Sequence, residues 1–125
     1  MKFDIGKTGL ETVLTSWQVE LMRWIWVVGG EVDSRAAYIR LRGSSSPMSR
    51  SSVINFLNVM AEEGFLVYRE ATTQGGRKRL YRPSSEAPDE ETFRRVLAGR
   101  FIEKARTELA RAAQLCPDLR VKKVS

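Results

Sequence analysis

At Gly64 the hydrophobic pattern of this chain changes period, and that break constrains the fold more than any other feature. Upstream, apolar residues recur at helical spacing; downstream stand short segments rich in β-branched and aromatic residues. The first helical pattern opens at "LTSWQV". Thr15 suits the N-cap, Gln18 completes a capping box, and Leu14 and Val19 flank it at the spacing of a hydrophobic staple. Trp17, Leu21, Trp24, Ile25 and Val28 make an apolar stripe, which Gly29-Gly30 stops. A shorter helix follows Asp33, with Ala37, Tyr38 and Leu41 inward and Arg35, Arg40 and Arg42 outward. The turn sequence "GSSSP" then leads to a third helix. Ser49 caps it, Met48 and Val53 repeat the staple, and Val53, Phe56, Leu57 and Met60 form its buried stripe.

Beyond Gly64 the order is "FLVYREA", "TTQGG" and "RKRLYRP". Two extended segments around a glycine-containing turn of about five residues predict a β-hairpin ended by Pro83. Period two does not decide whether Leu80 or Tyr81 faces the core. An acidic linker, "SSEAPDEE", supplies negative charge to the start of a long helix from about Asp89 to Leu115. Its stripe is Phe93, Leu97, Phe101, Ala105, Leu109 and Ala112, and a tail containing Cys116 and Lys122-Lys123 follows. The chain therefore divides into an N-terminal extension (1–13), a compact domain (14–83), and a linker, long helix and tail (84–125).

Composition removes several functional classes. There is one cysteine and no histidine, so neither a Cys/His zinc site nor a histidine-based triad can be built. Cys116 reads as a small apolar residue near a helix end. "GKT" at Gly6 to Thr8 ends like a phosphate-binding loop, but Met1 stands where its first glycine belongs. Adjacent carboxylates, Glu62-Glu63 and Glu90-Glu91, point apart on helices and read as solvation rather than an acid/base pair. No cofactor motif is present, and the expectation is a non-enzyme. The longest uninterrupted apolar run, Trp24 to Val28, is far short of the roughly 18 residues that span a bilayer. With no recognisable secretory signal, the chain is expected to be soluble and cytoplasmic, without a membrane partner.

The net charge of +6 is concentrated in the middle. Residues 1–34 carry a net of −2, residues 35–82 a net of +6, and residues 86–125 a net of +2. Such a focus points to a polyanion partner. Helix, helix, turn, helix, hairpin is also the element order of a winged helix-turn-helix domain, in which the third helix enters the DNA major groove and the hairpin touches the flanking backbone. The predicted fold is thus mainly α with a small β-hairpin, a winged helix-turn-helix domain plus a long C-terminal dimerisation helix.

On that fold the third helix presents Arg50, Ser51, Ser52 and Asn55 at its exposed start, with Asn58 one turn along. Arginine can bond guanine O6 and N7, and asparagine adenine N6 and N7. Ile54 sits at the edge of the buried stripe, where packing on the second helix is favoured over contact with a thymine methyl. Thr73 and Gln74 at the hairpin turn, with Arg77, Lys78 and Arg79 behind it, are the expected backbone contacts. Phe93, Leu97, Phe101 and Leu109 would leave a large apolar patch if unpaired, so they are the expected dimerisation stripe. Trp17, Trp24 and Trp26 read as core packing, although a small-molecule effector pocket near them is an alternative.

"LTSWQVELMRWIW", "SRSSVINFLNVMAEEGFLVYRE" and "GRKRLYRP", followed by a linker and one long helix, resemble the penicillinase-repressor family of winged-helix repressors over about residues 14–115. "GGRKRLYRP" is also similar to PadR-like regulators, and the layout to MarR-like ones. The resemblance implies a homodimer that binds a palindromic operator in double-stranded DNA and blocks transcription. The first fourteen residues lie outside it, and the turn over residues 43–47 is longer than the family pattern. A winged-helix module that meets an acidic protein within a larger assembly is the alternative reading.

Overall fold

The computed structural model of the chain describes residues 9–43 and 48–115. The "GKT" stretch, most of the "GSSSP" turn, Cys116 and Lys122-Lys123 lie outside the described residues. After a 3-10 turn, Gly9–Thr12, the elements are α1 (Ser16–Val28), α2 (Ser34–Leu41), α3 (Arg50–Glu62), β1 (Leu66–Thr73), β2 (Gly76–Pro83) and α4 (Glu90–Leu115). This is the predicted mainly helical, winged helix-turn-helix order. The chain separates into two compact units, Met1–Arg94 and Arg95–Ser125. The first holds every element up to the opening turn of α4; the second is the remainder of that helix and the tail.

Each helix start follows from its capping chemistry. The Gln18 side-chain oxygen accepts from the Thr15 backbone N–H at 3.0 Å, the long-reach half of the capping box. Asp33 Oδ1 accepts from the Ala36 N–H at 2.7 Å, and Ser49 Oγ from the Ser52 N–H at 3.0 Å. Helix α1 ends at Gly29, whose φ of 68° lies in the left-handed region that only glycine enters freely. Gly64, at φ 85°, turns the chain from α3 into the hairpin.

In the first unit, α1 packs on α2 and β2, α2 on α3, and α3 on β1. The core is Leu21, Met22, Ile25, Ala37, Leu41, Val53, Leu57, Met60, Phe65, Leu66, Tyr81 and Phe93. The buried face of α1 is rotated from the expected stripe: Val19 and Met22 are inside, whereas Trp24 is only half-buried and Val28 is exposed. A continuous apolar run such as Trp24 to Val28 carries little phase information, because it covers every face of the helix.

The hairpin is tighter than predicted. β1 and β2 pair antiparallel from Leu66↔Pro83 to Thr73↔Gly76, so only Gln74 and Gly75 form the turn. Thr73 Oγ1 donates to the Gly76 carbonyl at 3.0 Å, and Gly76 takes a φ of 119°. Tyr81, not Leu80, faces the core. Its backbone also exchanges two hydrogen bonds with Val32, at 2.8 and 2.7 Å, a single antiparallel bridge that ties the α1–α2 link to the two-stranded sheet.

The acidic linker is folded rather than extended. Ser84 donates its N–H to the Phe65 carbonyl at 3.1 Å and, with Ala87, is buried. Asp89 then caps α4 through the Thr92 N–H at 2.8 Å, and Glu90 accepts from Arg23 on α1 at 2.7 Å. That pair holds the Arg23 guanidinium above its ordinary pKa and the Glu90 carboxyl below its own, in each case chiefly through the hydrogen bond between them. No helix among the described residues is long and apolar enough to cross a membrane.

Candidate nucleic-acid interface

The amino-terminal turn of α3 stands out from the core. Arg50, Ser51, Ser52 and Asn55 are all exposed there, on the side opposite Val53, Phe56, Leu57 and Met60. Arg50 has no ion pair among the described residues. Ser52 is partly engaged, since its hydroxyl lies 2.9 Å from Ser49 Oγ within the cap. Asn55 borders a shallow groove with Trp17, Gln18 and Val59. Ile54 is half-buried on a helix packed against α2, consistent with the packing role.

Farther along α3, Asn58 is covered by the hairpin. It is half-buried, and its Oδ1 accepts from the Tyr81 hydroxyl at 2.5 Å and from Arg79 at 3.0 Å. The sequence places it one turn along an exposed stripe; it stays on that side of the helix, seven residues after Ser51, but there Arg79 and Tyr81 of the hairpin cover it.

The basic residues of the hairpin are engaged to different degrees. Arg79 is held twice, by Asn58 and by the Tyr68 ring, whose centroid lies 4.3 Å below its guanidinium carbon. Lys78 reaches back to α2, where its Nζ donates to Asp33 Oδ2 at 2.8 Å. Asp33 therefore caps α2 with one oxygen and binds the hairpin with the other. The Lys78 hydrogen bond, then the Ala36 amide, hold its carboxyl below the ordinary 3.8. Arg77 is different: its side chain is 78% exposed and its contact with Glu70 is a long 3.4 Å. At the tip, Thr73 and Gln74 are exposed with Gly75. On β1, Arg69 forms a two-pronged pair with Glu31, at 2.5 and 2.8 Å, which lowers the Glu31 pKa chiefly through that hydrogen bond.

Glu31, Val32, Asp33 and Tyr68 were absent from the predicted site. The alternation acid, apolar, acid in "EVD" is the period of a strand, and was the available signal that this segment joins the sheet. Trp17 and Trp26 pack as expected, and Trp24 does not. Trp17 meets Phe56 edge-on at 5.5 Å and Trp26 lies 5.3 Å from Phe93, while Trp24 borders an open groove with Val19, Val27 and Arg40.

The predicted dimerisation stripe divides along α4. Phe93 is fully buried in the first unit, 4.4 Å from Phe65, and is thereby corrected from an interface residue to a core residue. Leu97 is buried as well, whereas Phe101, Ile102 and Leu109 are exposed.

No protein-family model matches the chain, and no curated protein sequence matches it significantly. The similarity to penicillinase repressors thus stays a resemblance. Among solved structures, a possible transcriptional regulator from Methanosarcina mazei Go1 aligns with a TM-score of 0.56 at 16% identity, over 78% of each chain. At that identity the likeness shows the fold. A PadR family transcription regulator from Clostridium difficile R20291 aligns at 0.49 and 16% identity, over 76% of this chain and 99% of that one. The Vibrio cholerae ferric uptake regulator aligns at 0.47 and 14% identity, over 61% of this chain. The chain spans 56% of the Vibrio protein's length.

Proposed function

We propose that this chain is a sequence-specific, double-stranded DNA-binding transcription regulator that acts as a homodimeric repressor. The observation that carries the reading is the exposed Arg50 at the start of α3, which has no ion pair among the described residues and shares its helix face with Ser51 and Asn55, on a helix whose Asn58 meets the basic hairpin. Arg50 and Asn55 have the donor and acceptor geometry to read guanine and adenine edges, and Arg77 with Gln74 and Thr73 would meet the phosphates alongside. The description of the Methanosarcina structure as a possible transcriptional regulator agrees with this reading. Ile102 and Leu109 would be covered by a second copy, setting two reading helices about one DNA turn apart. No effector is assigned.

Selection from random duplex DNA at about 150 mM salt tests the proposal. The expected result is an inverted repeat with half-sites about ten base pairs apart. Arg50→Ala should then lose about 1–3 kcal/mol of discrimination at one position of each half-site. Equal weakening on all sequences would remove Arg50 from base reading, and no retention of DNA would favour a protein-interaction module.

A further inference from the structure

The side chain of Asn58 sits where α3 and the hairpin meet, and it joins them through one atom. Its Oδ1 accepts from Tyr81, at the inner end of β2, and from Arg79, two residues nearer the tip. Both donors are themselves fixed. Tyr81 is buried and bonded by its backbone to Val32, and its ring lies 5.8 Å from that of Tyr68. Arg79 lies over the same Tyr68 ring. Across the sheet, Glu31 and Asp33 hold Arg69 and Lys78. The hairpin is therefore tied to the segment 31–33 on one side and to α3 on the other. Among the hydrogen bonds described, those of Asn58 alone link a side chain of α3 to β2.

We infer that Asn58 is a positioning residue that fixes the hairpin relative to α3, so that base reading by the helix and backbone contact by the hairpin occur in one register. The Asn58 acceptor faces the hairpin. The inference rests on the DNA-binding proposal for its consequence, but the tie itself is a property of the free protein. An acceptor is what the position needs: aspartate keeps one in the same place, and alanine has none.

Two measurements on the full chain test this. By hydrogen exchange without DNA, Asn58→Ala should speed exchange in residues 66–83 by about tenfold, as lost hydrogen bonds release the hairpin, while α1 and α2 keep wild-type rates and Asn58→Asp restores protection. Wild-type exchange of the hairpin in Asn58→Ala, or equal acceleration throughout the domain, would overturn the tie. In DNA binding, the selected duplex is compared with one trimmed by the base pairs flanking each half-site. Wild type and Asn58→Asp should lose affinity on trimming, whereas Asn58→Ala should bind the full duplex about tenfold more weakly and lose nothing further on trimming. Wild-type dependence on the flanks in Asn58→Ala would overturn the register role. If the wild-type protein selects no DNA, the proposed function fails, and the exchange experiment still decides whether Asn58 holds the hairpin.

Discussion

The hairpin and the long helix α4 are both regions whose sequence advertises a surface, one by its charge and the other by its apolar stripe. In both, the structure withdraws part of that surface into the protein's own contacts. On the hairpin, Arg79 and Lys78 are bound by Asn58 and Asp33, and the residue nearer the tip, Arg77, stays largely free. Along α4, the relative exposure of the stripe climbs from 0% at Phe93 and 7% at Leu97 to 40% at Phe101 and 71% at Leu109. A cluster or a stripe in a sequence thus mixes residues that hold the fold with residues that remain available, and the two behave differently when removed.

The largest test of that division lies on α4. Phe93→Ala should destabilise the first unit by about 3–5 kcal/mol, read as a loss of urea or thermal midpoint, because it empties a site between Phe65 and Trp26. Leu109→Ala should change the stability of dilute protein by less than about 0.5 kcal/mol. If Leu109 meets a second copy, the wild-type melting temperature rises with protein concentration and Leu109→Ala abolishes the rise. Equal destabilisation by the two variants would break the comparison, and a concentration-independent wild type would remove the dimer.

A smaller effect tests the inner end of the hairpin. Asparagine caps helices as well as aspartate does, so Asp33→Asn keeps the bond to Ala36 and removes only the charge facing Lys78. The expected cost is about 0.5 kcal/mol near neutral pH, since Lys78 is partly exposed and solvent screens the pair. Asp33 has a lowered pKa in the folded state, so its contribution is present above the ordinary 3.8 and is lost as pH falls through the folded value. The gap between wild type and Asp33→Asn in urea midpoints should therefore close on acidification. A gap that persisted in strong acid would show that the carboxylate charge is not what Lys78 needs.

The elements were legible because their punctuation is local. Caps at Asp33 and Ser49, stops at Gly29 and Gly64, and the change of period at Phe65 each depend on a few neighbouring residues. The exposed face at the start of α3 was legible for the same reason: Arg50, Ser51 and Asn55 lie opposite a clear buried stripe. Partnerships between distant residues were not. Asp33 meets Lys78 and Asn58 meets Arg79 only after the hairpin has folded back, and nothing in the spacing of either pair marks it in advance. Phe93 was misplaced because its period belongs equally to the first unit's core and to the exposed stripe that follows on the same helix.

The smallest effect, and the one that divides the hairpin most finely, concerns Arg77 against Lys78. A cation that replaces counterions on a phosphate adds about 0.9 to the slope of log affinity against log salt. Arg77, exposed and only loosely paired with Glu70, has little to give up on meeting a phosphate, so Arg77→Ala should lower the slope by about one unit. Lys78 would first have to leave Asp33, exposing a carboxylate whose charge repels the same phosphate. Lys78→Ala should therefore leave the slope near its wild-type value and appear instead as a small loss of stability, matching Asp33→Asn. The two substitutions are compared by titrating labelled duplex at several salt concentrations. Equal decreases in slope would mean that DNA draws Lys78 away from Asp33, and that the hairpin's inner cations are a reserve for binding rather than part of its frame.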